Sequence, residues 1–198
     1  MNLPAEFLHK ISREEMAILP IRRYEGEIHL VEGPQQLERA AADMREEGVL
    51  GVDTETRPAF RKGESYLPSL AQVATARAVY LFPLQRLDCS EVLAELLSEP
   101  GIVKAGVGLA DDLRQLKLLF QFAEASVLDL GHVARRRGLR QTGLRNLAGI
   151  FLGSRTPKGA KTTNWAARRL SPQQITYAAT DAWACRELYL RFREIGLL

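Results

Sequence analysis

The sequence predicts an α/β domain with a run of antiparallel strands and helices packed around it. Three observations point to it. From Ile28 to the C-terminus, short apolar runs of strand length alternate with longer segments of helical period. Three strand-like runs, starting at Val49, Ser69 and Ala78, follow one another with no helix between them, which suggests an antiparallel half-sheet. The chain's 198 residues, 46% hydrophobic and 26% charged, suffice for one domain with a full core.

Residues 1–27 read as an N-terminal arm, and residues 28–198 as the domain proper. In the arm, Ser12 and Glu15 make a capping box for a short helix that Pro20 ends. IHLVEG, from Ile28, is a short alternating strand, and Pro34 to Gly48 an amphipathic helix with Leu37, Ala40, Ala41 and Met44 on one side. VLGVDTET, Val49 to Thr56, is the next strand. Arg57 to Pro68 carries Gly, two Pro and mixed charge, and reads as a loop. Its Phe60 and Tyr66 sit among Arg57, Arg61 and Lys62, either as an ordinary surface loop or as aromatics and cations that stack bases and hold phosphates. SLAQVAT and AVYLFPL form a hairpin turning near Ala76 and Arg77. Asp88 to Pro100 is a helix, Gly101 to Gly108 a buried strand and Leu109 to Phe120 a helix. Gly106 and Gly108 resemble part of a dinucleotide fingerprint, but Asp111 occupies the third glycine position and excludes it. Ser126 to Arg136 is a strand running into a helix, Thr142 to Gly153 a helix, and Ser154 to Trp165 a Gly/Pro/Lys loop. Ser171 as N-cap, Pro172 at N1 and Gln174 completing a capping box start the last helix. Its Ile175, Ala178, Ala179, Ala182 and Cys185 form a narrow face suited to close packing on a sheet.

Cys89 and Cys185 are the only cysteines, without metal-finger spacing, so neither a disulfide framework nor structural zinc is indicated. No signal peptide or membrane-length apolar run is present, which points to the cytoplasm and away from a membrane partner. No obligate protein partner is evident. The net charge is only +3, yet Gly131 to Thr180 holds ten Lys and Arg and no acid. The rest of the chain carries 17 of the 27 basic residues against all 24 acids. Such asymmetry is either a solvated face or the footprint of a polyanion, and an uncompensated block this long favours nucleic acid. Within it, Lys158, Lys161 and Trp165 of the basic loop are candidates for strand contacts, beside Phe60, Arg61 and Lys62.

The acids are where the chemistry concentrates. In a strand, Asp53 and Glu55 share one face while Leu50, Val52 and Thr54 share the other. The pair is either half a metal site or two solvated acids of an edge strand. On the following helix, Leu109, Leu113, Leu116 and Phe120 make an apolar stripe that contains Asp112 and leaves Asp111 outside. An acid on a core-facing stripe needs a partner, so Asp112 is a candidate third ligand. Tyr177 and Asp181, at i and i+4 of the last helix, bring a phenol and a carboxylate to one place.

VDTET, VKAGVGLADDL and YAATD resemble the three exonuclease motifs of the DEDD superfamily in its tyrosine branch, which includes ribonuclease D and the Werner syndrome exonuclease domain. The resemblance runs from about Ile28 to the C-terminus, and KAGVG is nearest the Werner-type domains. It implies an RNase H-like fold: a central mixed sheet, three antiparallel strands extended by parallel ones, with helices on both sides. It implies hydrolysis of RNA or DNA from a 3′ end, using two divalent ions, Mg²⁺ or Mn²⁺. Carried over by motif, Asp53 would bridge both ions, Glu55 and Asp181 would complete one site, and Asp112 would support the other, partly through water. Tyr177 would orient the attacking water, or also deprotonate it where the ions lower the phenol's pKa or the water's. The chain stops soon after the last motif, without the helical domains of ribonuclease D or a helicase, so substrate selection is expected from this domain or a partner. The alternative is a catalytically silent nucleic-acid-binding module on the same fold.

Overall fold

The computed structural model describes residues 7, 10–157, 159–160 and 162–198. A mixed six-stranded sheet carries the fold, in the order β1-β4-β3-β2-β5-β6. The strands are β1 (Glu27–Leu30), β2 (Val49–Thr56), β3 (Pro68–Ala74), β4 (Ala78–Pro83), β5 (Val103–Gly106) and β6 (Val127–Asp129). β2, β3 and β4 pair antiparallel, as three uninterrupted runs require, whereas β1 joins β4, β5 joins β2 and β6 joins β5 in parallel.

Side-chain alternation divides β2 between two cores. Leu50 and Val52 face a layer with Ala71, Val73, Tyr80 and Phe82, closed by α2 (Pro34–Arg45), α3 (Ser90–Ser98) and α4 (Leu109–Leu116). On the other face lies α7 (Pro172–Glu194), with Ala178, Ala179 and Ala182 packed on Leu70, Ala74, Val79 and Leu81. α5 (Leu130–Arg136) and α6 (Leu144–Leu152) complete this layer against Leu188 and Phe192 of α7.

The start and the depth of α7 decide where its acid sits. Ser171 Oγ accepts from Gln174 N at 3.2 Å while Gln174 Oε1 accepts from Ser171 N at 2.9 Å, closing the capping box. The same Gln174 amide donates to Thr163 Oγ1 and the Asn164 carbonyl, tying the preceding loop to the helix start. Gly51 lets the helix press onto β2: a Cβ there would lie 2.0 Å from the Ala182 carbonyl oxygen. The small face of α7 and the missing side chain of Gly51 together bring the helix backbone down to the strand.

Among the described residues the arm is held to this body. Ile11 and Met16 are buried, with α1 at Arg13–Ile18. Gln141 accepts from Ile11 N and donates to its carbonyl, and Tyr24 N donates to Thr180 Oγ1. No helix among these residues is long and apolar enough to cross a membrane.

Candidate active site

At the C-terminal end of β2, the face turned to α7 carries Asp53 and Glu55. One oxygen from each, and one from Asp181 of α7, all lie within 4.8 Å of one another. Glu55 and Asp181 are buried, and Asp53 is half-buried. Tyr177, one turn before Asp181, stands against its carboxylate. Behind it Trp165 is only 2% exposed, its ring centroid 6.0 Å from that of Tyr177, so it backs the phenol from inside.

Asp112 reaches the same cleft from α4, on the other face of the strand end. It stands outside the close triad, and Thr54 Oγ1 donates to its Oδ1 at 2.6 Å. Asp111 is exposed and pairs with Arg114 at 2.8 Å. Gly108, with φ +82°, turns the chain sharply into α4, and its N–H donates to Asp129 Oδ2 at 3.1 Å. The other oxygen of Asp129 caps α5 through His132 N. Asp129 is therefore a cleft acid whose oxygens hold backbone.

The cleft has a volume of about 1150 Å³ and is lined by Asp53, Glu55, Asp112, Tyr177 and Asp181, and also by Arg135 and Arg145. The basic block thus contributes to the lining of the acidic cleft. Arg168 and Arg169 line a second cleft of about 720 Å³ with Arg86, bordered by Trp165. Phe60, 78% exposed, stands with exposed Arg61 and Lys62 in the β2–β3 loop, outside the lining of the acidic cleft. Lys158 and Lys161 lie outside the described residues.

The electrostatics of this cluster are unfavourable without a cation. Burial, then the charges of Asp181, Asp112 and Glu55, push the Asp53 carboxyl well above its ordinary range. Asp112 is raised by burial against the opposing bond from Thr54, with Asp111 and Asp129 adding to the rise. The Tyr177 phenol is also pushed up, by burial first and then by Asp181 and Glu55. An all-oxygen set of clustered carboxylates suits a hard divalent ion such as Mg²⁺ or Mn²⁺, and Asp53, Glu55 and Asp181 are placed to hold one.

Thr54, Asp129, Arg135 and Arg145 are among the cleft residues that sequence patterns do not single out. A hydroxyl at the end of an apolar strand face is the available signal for Thr54. For the arginines only the basic block as a whole points the way.

Comparison with known proteins agrees with this arrangement. The sequence profile of a family described as 3′-5′ exonuclease matches residues 28–196. The human exonuclease mut-7 homolog is 30% identical over 200 residues, covering 86% of this chain and 23% of that protein. Ribonuclease D of Haemophilus influenzae is 33% identical over 149 residues, covering 73% of this chain and 36% of its own. The chain thus spans well under half the length of these relatives. Among solved structures, the Nibbler EXO domain of Aedes aegypti superposes with a TM-score of 0.77 at 22% identity, covering 89% of this chain and 91% of that one. The architecture is the RNase H-like fold.

Proposed function

Because the chain belongs to the 3′-5′ exonuclease family, we propose that it hydrolyses single-stranded nucleic acid from the 3′ end at this cleft, releasing nucleoside 5′-monophosphates. The observation that carries the reading is the convergence of Asp53, Glu55 and Asp181, from a strand and a helix, beside Tyr177 in a cleft that also presents Arg135 and Arg145.

Asp53, Glu55 and Asp181 would hold one divalent ion, and Asp53 with Asp112 a second. Bound ions would supply an activated water, a polarised phosphoryl group and a stabilised leaving alkoxide. The side chains do the rest. Asp53 is central because Asp181, Asp112 and Glu55 all act on it, so a cation there would relieve several repulsions at once. Thr54 fixes Asp112 at the strand end and keeps it apart from the triad. In the metal-free cleft, burial and then the charges of Asp181 and Glu55 push the Tyr177 phenol up, and its hydroxyl is placed to orient a water. Arg135 and Arg145 carry charge suited to the phosphates of the 3′-terminal nucleotides, and Arg168 and Arg169 to phosphates further along.

The test is digestion of 5′-labelled single-stranded RNA and DNA with Mg²⁺ or Mn²⁺, with a circular single strand as control. A metal-dependent ladder from linear substrates, absent with Asp53→Ala, is expected. Binding without cleavage under every metal would replace this reading with a silent binding module, and cutting of the circle would make the enzyme an endonuclease.

A further inference from the structure

Gln72 of β3 has no exposed surface, and neither atom of its amide has a hydrogen-bond partner among the described residues. Burying an amide unpaired is costly, and native proteins seldom leave one so without a reason.

Its register gives the reason. Gln72 stands directly opposite Asp53 of β2 and, on its other side, opposite Leu81 of β4. Residues directly opposed on antiparallel strands share a face, with Cβ atoms about 4.5–5.5 Å apart. A glutamine side chain can reach a neighbouring carboxylate over that distance. Along β3 and on β4 its neighbours on the α7 face are apolar, Leu70, Ala74 and Leu81, and Glu55 of β2 lies only diagonally from it. Asp53 is thus the polar group directly opposite its amide in the sheet.

Asp53 is correspondingly short of donors. Its carboxylate takes a bond from the Thr54 backbone and otherwise faces Asp181, Asp112 and Glu55. A neutral donor there stabilises the anion without competing with a cation for the site, as a lysine would.

We infer that Gln72 is a positioning residue of the carboxylate centre: its amide, unpaired in the metal-free protein, turns to donate an N–H to the Asp53 carboxylate when a divalent ion is bound, and so fixes that carboxylate for the ion. The inference rests on the metal-dependent reading above. Partners of this kind typically change metal affinity 10- to 100-fold when removed, roughly.

Gln72→Met keeps the volume and removes the amide, and Gln72→Leu serves as a second apolar replacement. For each, the melting temperature in EDTA and the Mn²⁺ affinity by calorimetry are measured against wild type, together with the Mn²⁺ dependence of cleavage. The expected result has opposite signs. Metal-free stability is equal or higher, because an unpaired buried amide has gone, while Mn²⁺ affinity falls about 10- to 100-fold and cleavage recovers at high Mn²⁺. Unchanged Mn²⁺ affinity in both variants, whatever the melting temperature, would reduce Gln72 to packing and overturn the inference alone. Absence of Mn²⁺ binding by wild type would overturn the metal site and the role of Gln72 together.

Discussion

Asp43 and Asp53 are both drawn into the body of the domain, and the protein treats them in opposite ways. Burial alone would raise the Asp43 carboxyl, but bonds from Thr75, Arg77 and Tyr80 outweigh it and hold the group below its ordinary range. Thr75 Oγ1 and Tyr80 OH donate to Oδ2 at 2.9 and 3.0 Å, and Arg77 Nε donates to Oδ1 at 2.6 Å. Asp53 has three acids for neighbours and is pushed up. One carboxylate is satisfied by its own chain and locks α2 to the β3–β4 turn. Among the described residues the other has acids acting on it and no cation, a deficit that a bound divalent ion would fill. An acid the fold needs is neutralised internally; an acid the function needs is kept short of partners.

Exchanging the two for alanine should separate them most sharply. Asp53→Ala is expected to lower cleavage on the order of 10³-fold or more, since loss of several kcal/mol of transition-state stabilisation corresponds to such a factor. Its melting temperature in EDTA should stay the same or rise. Asp43→Ala should do the reverse: a loss of about 1–3 kcal/mol in urea denaturation, from hydroxyls left without their acceptor, with cleavage per folded molecule unchanged. Equal stability losses in the two variants would erase the distinction.

The same contrast has a pH signature. A carboxyl raised in the folded state binds its proton more tightly there than when unfolded, so stability falls as pH rises from the ordinary value near 3.8 through the folded value. In EDTA, Asp53→Asn should therefore gain on wild type as pH rises above 4, roughly, and saturating Mn²⁺ should reverse the order. For Asp43, held low, the sign is opposite. Its contribution is present above the ordinary value and lost as pH falls through the folded one, so the deficit of Asp43→Asn shrinks in acid. Thermal melts across pH with both asparagine variants read the two slopes directly.

What the sequence makes legible follows from how local each signal is. The spacing of Asp53 and Glu55 encodes a shared face, because strand alternation needs no tertiary information. Ser171 and Gln174 announce the start of α7 for the same reason, and the uninterrupted strands β2, β3 and β4 announce their antiparallel pairing. The parallel neighbours β1 and β6 are less legible, since which edge a strand joins depends on crossovers far along the chain. Thr54 reads as a residue of the apolar face; its bond to Asp112 depends on where α4 docks. Gln72 reads as an ordinary polar residue in SLAQVAT until its register against Asp53 is known. The basic block signals a polyanion but does not say that Arg135 and Arg145 reach one cleft and Arg168 and Arg169 another.

Tyr177→Phe tests a subtler dependence on the same acids. In the metal-free cleft, burial and the charges of Asp181 and Glu55 push the phenol up, and in the proposed orienting role loss of its hydroxyl removes no titrating base. Cleavage should fall roughly tenfold to a hundredfold at saturating substrate, with Mn²⁺ affinity retained. The pH dependence should keep its wild-type shape. A lost basic limb in the phenylalanine variant would make Tyr177 the base.

The smallest effect should come from the positive side of the cleft. Arg135 and Arg145 are contributed by α5 and by the first turn of α6, so the cleft is bordered by charge from two helices that pack on α7. Each phosphate contact releases condensed counterions, and a single-strand contact adds about 0.7 to the slope of log affinity against log salt. Alanine at either position should weaken binding a few-fold at moderate salt and lower that slope by about that amount, leaving the rate at saturating substrate near wild type. Fluorescence anisotropy on labelled oligonucleotides across a salt series would measure it with Ca²⁺ in place of Mg²⁺. Unchanged slopes in both variants would mean that the positive charge offsets the buried acids without touching the strand. The comparison of the two aspartates would then extend to the arginines, with Arg77 neutralising an acid by direct contact and Arg135 and Arg145 doing so only through the field of the cleft.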